Sequence, residues 1–434
     1  MVTPSSSTYS PPDTEHSESV TPLGELTLDA PPSCLEFLRT TGWEQFFVVG
    51  TYQLDHNPIT DENAASKDPK EQSRNGTLSL VRLDINDGSI RNTHTLKCDS
   101  AIYDLHFLPG QRFFAAVSST GTISFYEVIE IERDSAEAHA GIFPSLRIKL
   151  LFTKQLFSPG TIITYFAFLP AHTLDLYQPL IAATTDDGGV YLMVYDMTAQ
   201  KIELLNGGEP VHRHVLKESG APDFAWCCAV NSKVRTSIYS GGDNAELVRI
   251  KLGDYAARLR DLEGKVLTEL YRHNFHDAGV TAILPLPHCL SDDSALLLTG
   301  SYDNHIRLYS NSHQKVMAQL DLGGGVYRLK MIQEHYWPGH APREFVYLVL
   351  ACCMHGGTKV IDVRTADIDD YVMKVVGSLN VPANDSDNYC YAADVLPLPL
   401  ASGFFEQQPP LPRKRMFVSG SFVDKKLTSW LLNL

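Results

Sequence analysis

Five aromatic residues recur at matched places in short apolar segments. They are Tyr103 in Ile102-Tyr-Asp-Leu, Tyr165 in Thr164-Tyr-Phe-Ala, Trp226 in Ala225-Trp-Cys-Cys, Tyr327 in Val326-Tyr-Arg-Leu and Tyr391 in Cys390-Tyr-Ala-Ala. Brought together, such rings offer π faces to a cation, and a quaternary ammonium group gains roughly 0.5 to 2 kcal/mol from each contact. The bland alternative stays open, because aromatic side chains are common in strands and fill space in cores. Polar groups cluster at turn signals: Asp243, Asp303, His305, His355 and Asp424, with Asp394 close by. His355, in Cys353-Met-His-Gly-Gly357, is the candidate general base, since imidazole exchanges protons near neutrality; an inert surface histidine is the alternative. No Gly-x-Ser-x-Gly, Gly-x-x-x-x-Gly-Lys-Ser/Thr or His-Glu-x-x-His run occurs. His212-x-His214 and His273-x-x-His276 have spacings a metal could use, but no acidic or Cys partner is placed to complete a site, and His276 already has a propeller role. Neither a metal nor a cofactor is expected.

Those residues need a scaffold that gathers distant segments. Leu298-Thr-Gly-Ser-Tyr-Asp303-Asn-His-Ile-Arg-Leu-Tyr309, opened by His276-Asp-Ala-Gly-Val280, has the grammar of one WD-type propeller blade. Asp303 suits the tight strand-to-strand turn, since its carboxylate can accept backbone N–H groups, and His276 can donate to it. The same grammar recurs at Phe46–Thr51, Ala115–Gly121, Ile181–Gly188, Ile238–Asp243, Leu350–Gly357 and Val418–Asp424. About seven copies predict an all-β, seven-bladed WD-type β-propeller. In that architecture the starts of the innermost strands and the turns after the second strands open on one face. Tyr103, Tyr165, Trp226, Tyr327 and Tyr391 are therefore expected as a partial ring at the channel mouth.

The copies are spaced more widely than the ~40 to 45 residues of a minimal repeat, so loop insertions are expected. His56–Asn75, Arg133–Ser145 and Gly403–Arg415 are polar and without apolar period, and read as solvated loops. Residues 1–33, rich in Ser, Thr and Pro, are expected as a disordered tail before one propeller domain at 34–434. No apolar run suggests an ordinary signal peptide or a bilayer span, so a cytoplasmic chain, with nuclear access open, is expected. The eight cysteines include the neighbours Cys227-Cys228 and Cys352-Cys353 and read as buried thiols rather than a disulfide framework. With 51 acidic against 36 basic residues, the net charge of −15 argues against direct nucleic-acid binding and favours a cationic ligand or basic partner.

Several elements are more specific than generic blade letters: Tyr239-Ser-Gly-Gly-Asp243, Gly300-Ser-Tyr-Asp-Asn-His-Ile306, Gly323-Gly-Gly-Val-Tyr-Arg-Leu-Lys330, Ala351-Cys-Cys-Met-His-Gly-Gly357, Tyr391-Ala-Ala-Asp394 and Gly420-Ser-Phe-Val-Asp424. In order and spacing they resemble the WD-repeat diphthine methylesterases of the diphthamide pathway, chiefly over the C-terminal half. The resemblance implies hydrolysis of the methyl ester on methylated diphthine, a modified histidine of translation elongation factor 2, whose trimethylammonium group lies beside the ester. A non-catalytic adaptor for that factor or for pathway enzymes is the alternative. Ala221-Pro-Asp-Phe-Ala-Trp226 and Asp424-Lys425 depart from the family pattern, which leads with His and carries a second Glu in the first, and has Asp-His in the second. The implied site has His355, His305 and Arg328 as catalytic groups, with Trp226, Tyr327, Tyr391, Tyr103, Asp394 and Tyr302 binding substrate. Ser301 or Cys353 is the competing nucleophile. A monomer is expected.

Overall fold

The computed structural model describes residues 20–54, 74–131, 144–169, 179–230, 237–252, 268–287, 295–336, 345–367, 370–380, 388–397 and 414–433. They form seven antiparallel sheets, each the size of one propeller blade. The innermost strands are Pro32–Phe37, Ile102–Phe107, Ile163–Leu169, Ala225–Val230, Val280–Pro285, Arg328–Tyr336 and Ala392–Val395, numbered here as blades 1 to 7. Each touches the innermost strand of the next, including blade 7 against blade 1, so the ring closes.

Seven apolar clusters hold it, one between each adjacent pair of blades. Between blades 4 and 5, for instance, Cys227, Tyr239 and Leu247 meet Val280, Leu297 and Tyr309. Strands such as Phe46–Thr51 and Leu180–Thr185 are buried at every residue, as the middle strands of stacked sheets must be. Blade 5 confirms the turn logic. Asp303 accepts the Asp277 and His305 backbone N–H groups and Arg307 Nη1, while His276 Nε2 lies 2.8 Å from Thr299 Oγ1.

Closure corrects the expected tail. Val20–Thr27 is the outermost strand of blade 7, antiparallel to Lys426–Asn433, and Ser429 Oγ accepts the Gly24 N–H at 2.9 Å. Period-two alternation is weak in Val20-Thr-Pro-Leu-Gly-Glu-Leu-Thr27, since an outermost strand buries little, so composition masked it. Residues 1–19 and most of the three proposed insertions lie outside the described residues. Arg415, expected as a solvated charge, is buried in blade 7 and its Nη1 donates to Gln333 Oε1 at 3.0 Å.

Candidate functional site

Five of the seven innermost strands carry a bulge near their first residue. Register shifts between Pro32 and Cys34, Ile102 and Asp104, Ile163 and Tyr165, Ala225 and Cys227, and Val280 and Ala282 single out Ser33, Tyr103, Thr164, Trp226 and Thr281. Hydroxyl and aromatic residues alternate. Each hydroxyl donates to the carbonyl just before the next blade's aromatic: Ser33 Oγ to Ile102 O at 2.6 Å, Thr164 Oγ1 to Ala225 O and Thr281 Oγ1 to Val326 O, both at 2.5 Å. These bonds fix the backbone from which Tyr103, Trp226 and Tyr327 project.

Tyr103, Trp226, Tyr302, Tyr327 and Tyr391 line one cavity of about 250 Å³, together with Ser33, Tyr52, Ile162 and Phe422. All seven blades contribute. The rings pack edge to face along the wall: Tyr52–Tyr103 at 6.0 Å between centroids, Trp226–Tyr302 at 5.3 Å, Tyr327–Tyr391 at 4.7 Å and Tyr391–Phe422 at 5.2 Å. Burial pushes the Tyr103, Tyr302, Tyr327 and Tyr391 phenols up from their ordinary range, so all stay protonated at neutral pH. Tyr103 donates to the Tyr327 oxygen, a bond that favours the Tyr327 phenolate and strengthens Tyr327 as a donor in turn. The Trp226 indole N–H donates to Asp243 Oδ1 at 2.8 Å, and Asp243 itself is exposed at the rim.

A second cavity, also about 250 Å³, shares Tyr391 with the first and is charged. His106 lies 2.9 Å from Glu36 Oε2 and 3.0 Å from Asp104 Oδ2. Burial alone would lower its pKa, but those two carboxylates outweigh it and raise the value to about 9. Arg328 pairs with Asp104 at 3.5 Å and sits 4.6 Å from the ring centres of both Tyr165 and Tyr327. Lys330 lies 3.4 Å from Asp394, which also accepts the Phe37 backbone N–H at 2.9 Å.

Several expected site residues are therefore displaced. Tyr165 follows the bulge rather than occupying it, so it turns into the charged cavity beneath Arg328. Arg328 and Asp394 belong to the same charged layer, where carboxylate and ammonium partners engage them. His305 is tied to its own turn, Nδ1 lying 2.7 Å from Asp303 O. His355 is exposed on the turn after the second strand of blade 6 and does not line the aromatic cavity. Neither alternative nucleophile fits. Ser301 Oγ is committed to Ala278 O and Asp303 N, and burial pushes the Cys353 thiol up to about 12.

Tyr52, Phe422, Ser33 and Ile162 were not anticipated. The first two had a signal: Gly50-Thr-Tyr52, Gly300-Ser-Tyr302 and Gly420-Ser-Phe422 end their second strands alike. Away from the channel, the structure supplies the acidic partner missing beside the two histidines in sequence. Ring nitrogens of His212 and His214 and a Glu246 oxygen lie within 4.8 Å of one another.

The family described as WD domain, G-beta repeat matches residues 264–310, the stretch leading through the third strand of blade 5. Diphthine methyltransferase of Homo sapiens is 26% identical over 382 residues, covering 85% of this chain and 72% of that protein. The Mus musculus protein of the same name is 24% identical, covering 85% and 67%. That of Schizosaccharomyces pombe is 23% identical, covering 81% and 85%. Among solved structures, a chain titled as part of the mitotic checkpoint complex aligns over 100% of this one and 97% of its own length, with a TM-score of 0.51 and 12% identity. That likeness speaks for the fold alone. Over most of its length this seven-bladed WD-repeat propeller is thus similar to the diphthine methyltransferases.

Proposed function

We propose that this chain hydrolyses the methyl ester of methylated diphthine on elongation factor 2, taking the modified side chain into the aromatic cavity. The observation that carries this reading is a cavity walled by seven aromatic rings from six blades, in a chain of net charge −15. Its volume suits a modified side chain rather than a large free ligand, and π faces attract a trimethylammonium group that cannot hydrogen-bond.

The ester stands beside the trimethylammonium group, so both enter together and the reacting groups must border the same wall. Tyr327 O–H, polarised by Tyr103, is the proposed donor to the carbonyl oxygen as charge develops there. Asp243, at the edge beside Trp226, is the proposed base that takes a proton from attacking water. Water oxygen bonds to the carbonyl carbon, the bond to the methoxy oxygen breaks, and the proton leaves with methanol. His355, which is exposed and outside the cavity lining, has no part in this scheme.

Purified chain mixed with elongation factor 2 carrying methylated diphthine, with no methyl donor or acceptor but water, tests the reading. Methanol and a free carboxylate are expected as products. Binding of the factor without methanol release would support the adaptor instead.

A further inference from the structure

Blades 4 and 5 share a histidine-to-hydroxyl bond and then diverge. In blade 5, His276 places Nε2 on Thr299 Oγ1 and Nδ1 3.2 Å from the Asp303 carboxylate. In blade 4, His214 Nε2 lies 2.9 Å from Ser240 Oγ, but its Nδ1 has no hydrogen-bond partner and the nearest Glu246 oxygen is 4.0 Å away. A second imidazole, His212, stands edge-on to the first, 4.8 Å between centroids, and its buried Nε2 is also unpartnered. His212, His214 and Glu246 are 6%, 0% and 1% exposed.

The tautomer of His214 follows from its neighbour. Ser240 Oγ donates to the Cys227 carbonyl at 3.1 Å, so it must accept from His214 Nε2–H. The lone pair on Nδ1 is thereby aimed at the gap facing His212 and Glu246, the second-shell arrangement that orients a metal-binding histidine. Burial, with Arg272 nearby, keeps both imidazoles neutral, pulling His212 down to about 4 and His214 to about 3. Two orphaned buried nitrogens would each cost about 1 to 3 kcal/mol if nothing met them. Arg272 Nη1 reaches the Glu246 oxygens only at 3.3 and 3.4 Å and its side chain is 47% exposed, so it can swing outward and leave an entry path.

We propose that His212, His214 and Glu246 bind one divalent transition-metal ion, Zn²⁺ by preference, at a site between blades 3 and 4 separate from the aromatic cavity. Two imidazoles and one carboxylate are borderline ligands with tetrahedral precedent, leaving a fourth position for water. Bonds of about 2.0 to 2.2 Å require the three donors to draw inward slightly as the ion enters.

Full-length chain is stripped with chelator, loaded with Zn²⁺, desalted and assayed for bound metal; Co²⁺ serves as a spectroscopic probe in parallel. The wild type should retain one equivalent, give the intense visible bands of four-coordinate Co²⁺ and unfold at higher temperature when loaded. His212→Leu, which leaves the His214–Ser240 bond intact, should fold and lose all three responses, and Glu246→Gln should weaken them. Retention of well under one equivalent by the wild type, or equal binding by His212→Leu, would overturn the proposal. Bands typical of thiolate ligation would also overturn it, assigning any bound metal to cysteine.

Discussion

Trp226 Nε1 donates to Asp243 Oδ1 at 2.8 Å, tying the one indole of the cavity to a rim carboxylate. The same carboxylate lies close to Gly279, where an added Cβ would come within 2.8 Å of Oδ1. Asp243 Oδ1 is thus positioned by the indole and crowded by the Gly279 backbone, and Oδ2 is the oxygen proposed to take the proton. Asp243→Asn keeps an acceptor for the indole and removes the base. Ester turnover should fall about 10²-fold or more, while affinity for a trimethylammonium probe, measured by calorimetry, changes much less. Equal turnover by the variant would exclude Asp243 as base.

Tyr327→Phe retains the ring and deletes the donor. If the phenol stabilises the developing oxyanion, kcat should drop about 10²- to 10³-fold with KM little altered. Steady-state kinetics decide this, and a change confined to KM would assign Tyr327 to binding only.

His355→Ala separates sequence expectation from geometry. Because the imidazole lies on an exposed turn outside the cavity lining, the variant should keep methanol release within about threefold of wild type, in line with the small effects of surface substitutions. Abolished release by a folded variant would return the base to His355.

The charged layer beneath the cavity predicts a pH signature. Folding raises the His106 pKa to about 9 through Asp104 and Glu36, against the opposing effect of burial, and the unfolded value is about 6.5. Between these values the folded chain holds a proton that the unfolded chain releases. The contribution, on the order of 3 kcal/mol, is therefore whole below about pH 6.5 and is lost as pH rises through about 9. Glu36 and Asp104 have lowered pKa values and act in the acid range instead. Wild-type chain should lose thermal stability steadily from pH 6.5 to 8.5. His106→Gln should be less stable at neutrality and flat across that window; an unchanged slope would contradict the assignment.

Much of the architecture was legible because each blade repeats one turn. Asp303 and its Gly-Ser lead announce a backbone requirement that the sequence must meet locally, and the convergence of seven inner strands follows from closure. Tyr103, Trp226, Tyr327 and Tyr391 were found by their place at strand starts. Tyr165 shows the limit of that reading: aligned by letter, it sits one residue past the bulge at Thr164, and a one-residue slip reverses the side chain. The electrostatics were hidden for another reason. Glu36, Asp104, His106, Arg328, Lys330 and Asp394 come from four blades, and only closure makes them partners. Val20–Thr27 escaped notice because its pairing strand lies at the far end of the chain.

The central claim is that the cavity recognises a cation lying next to the ester it cleaves. Two peptide substrates, one bearing the trimethylammonium methyl ester and one its neutral tert-butyl isostere, put this to a single kinetic comparison under limiting substrate. The account predicts that kcat/KM for the charged ester exceeds the neutral one by about tenfold or more, given roughly 0.5 to 2 kcal/mol per aromatic contact, and that Trp226→Ala narrows the gap. Equal rates for the two esters would contradict it.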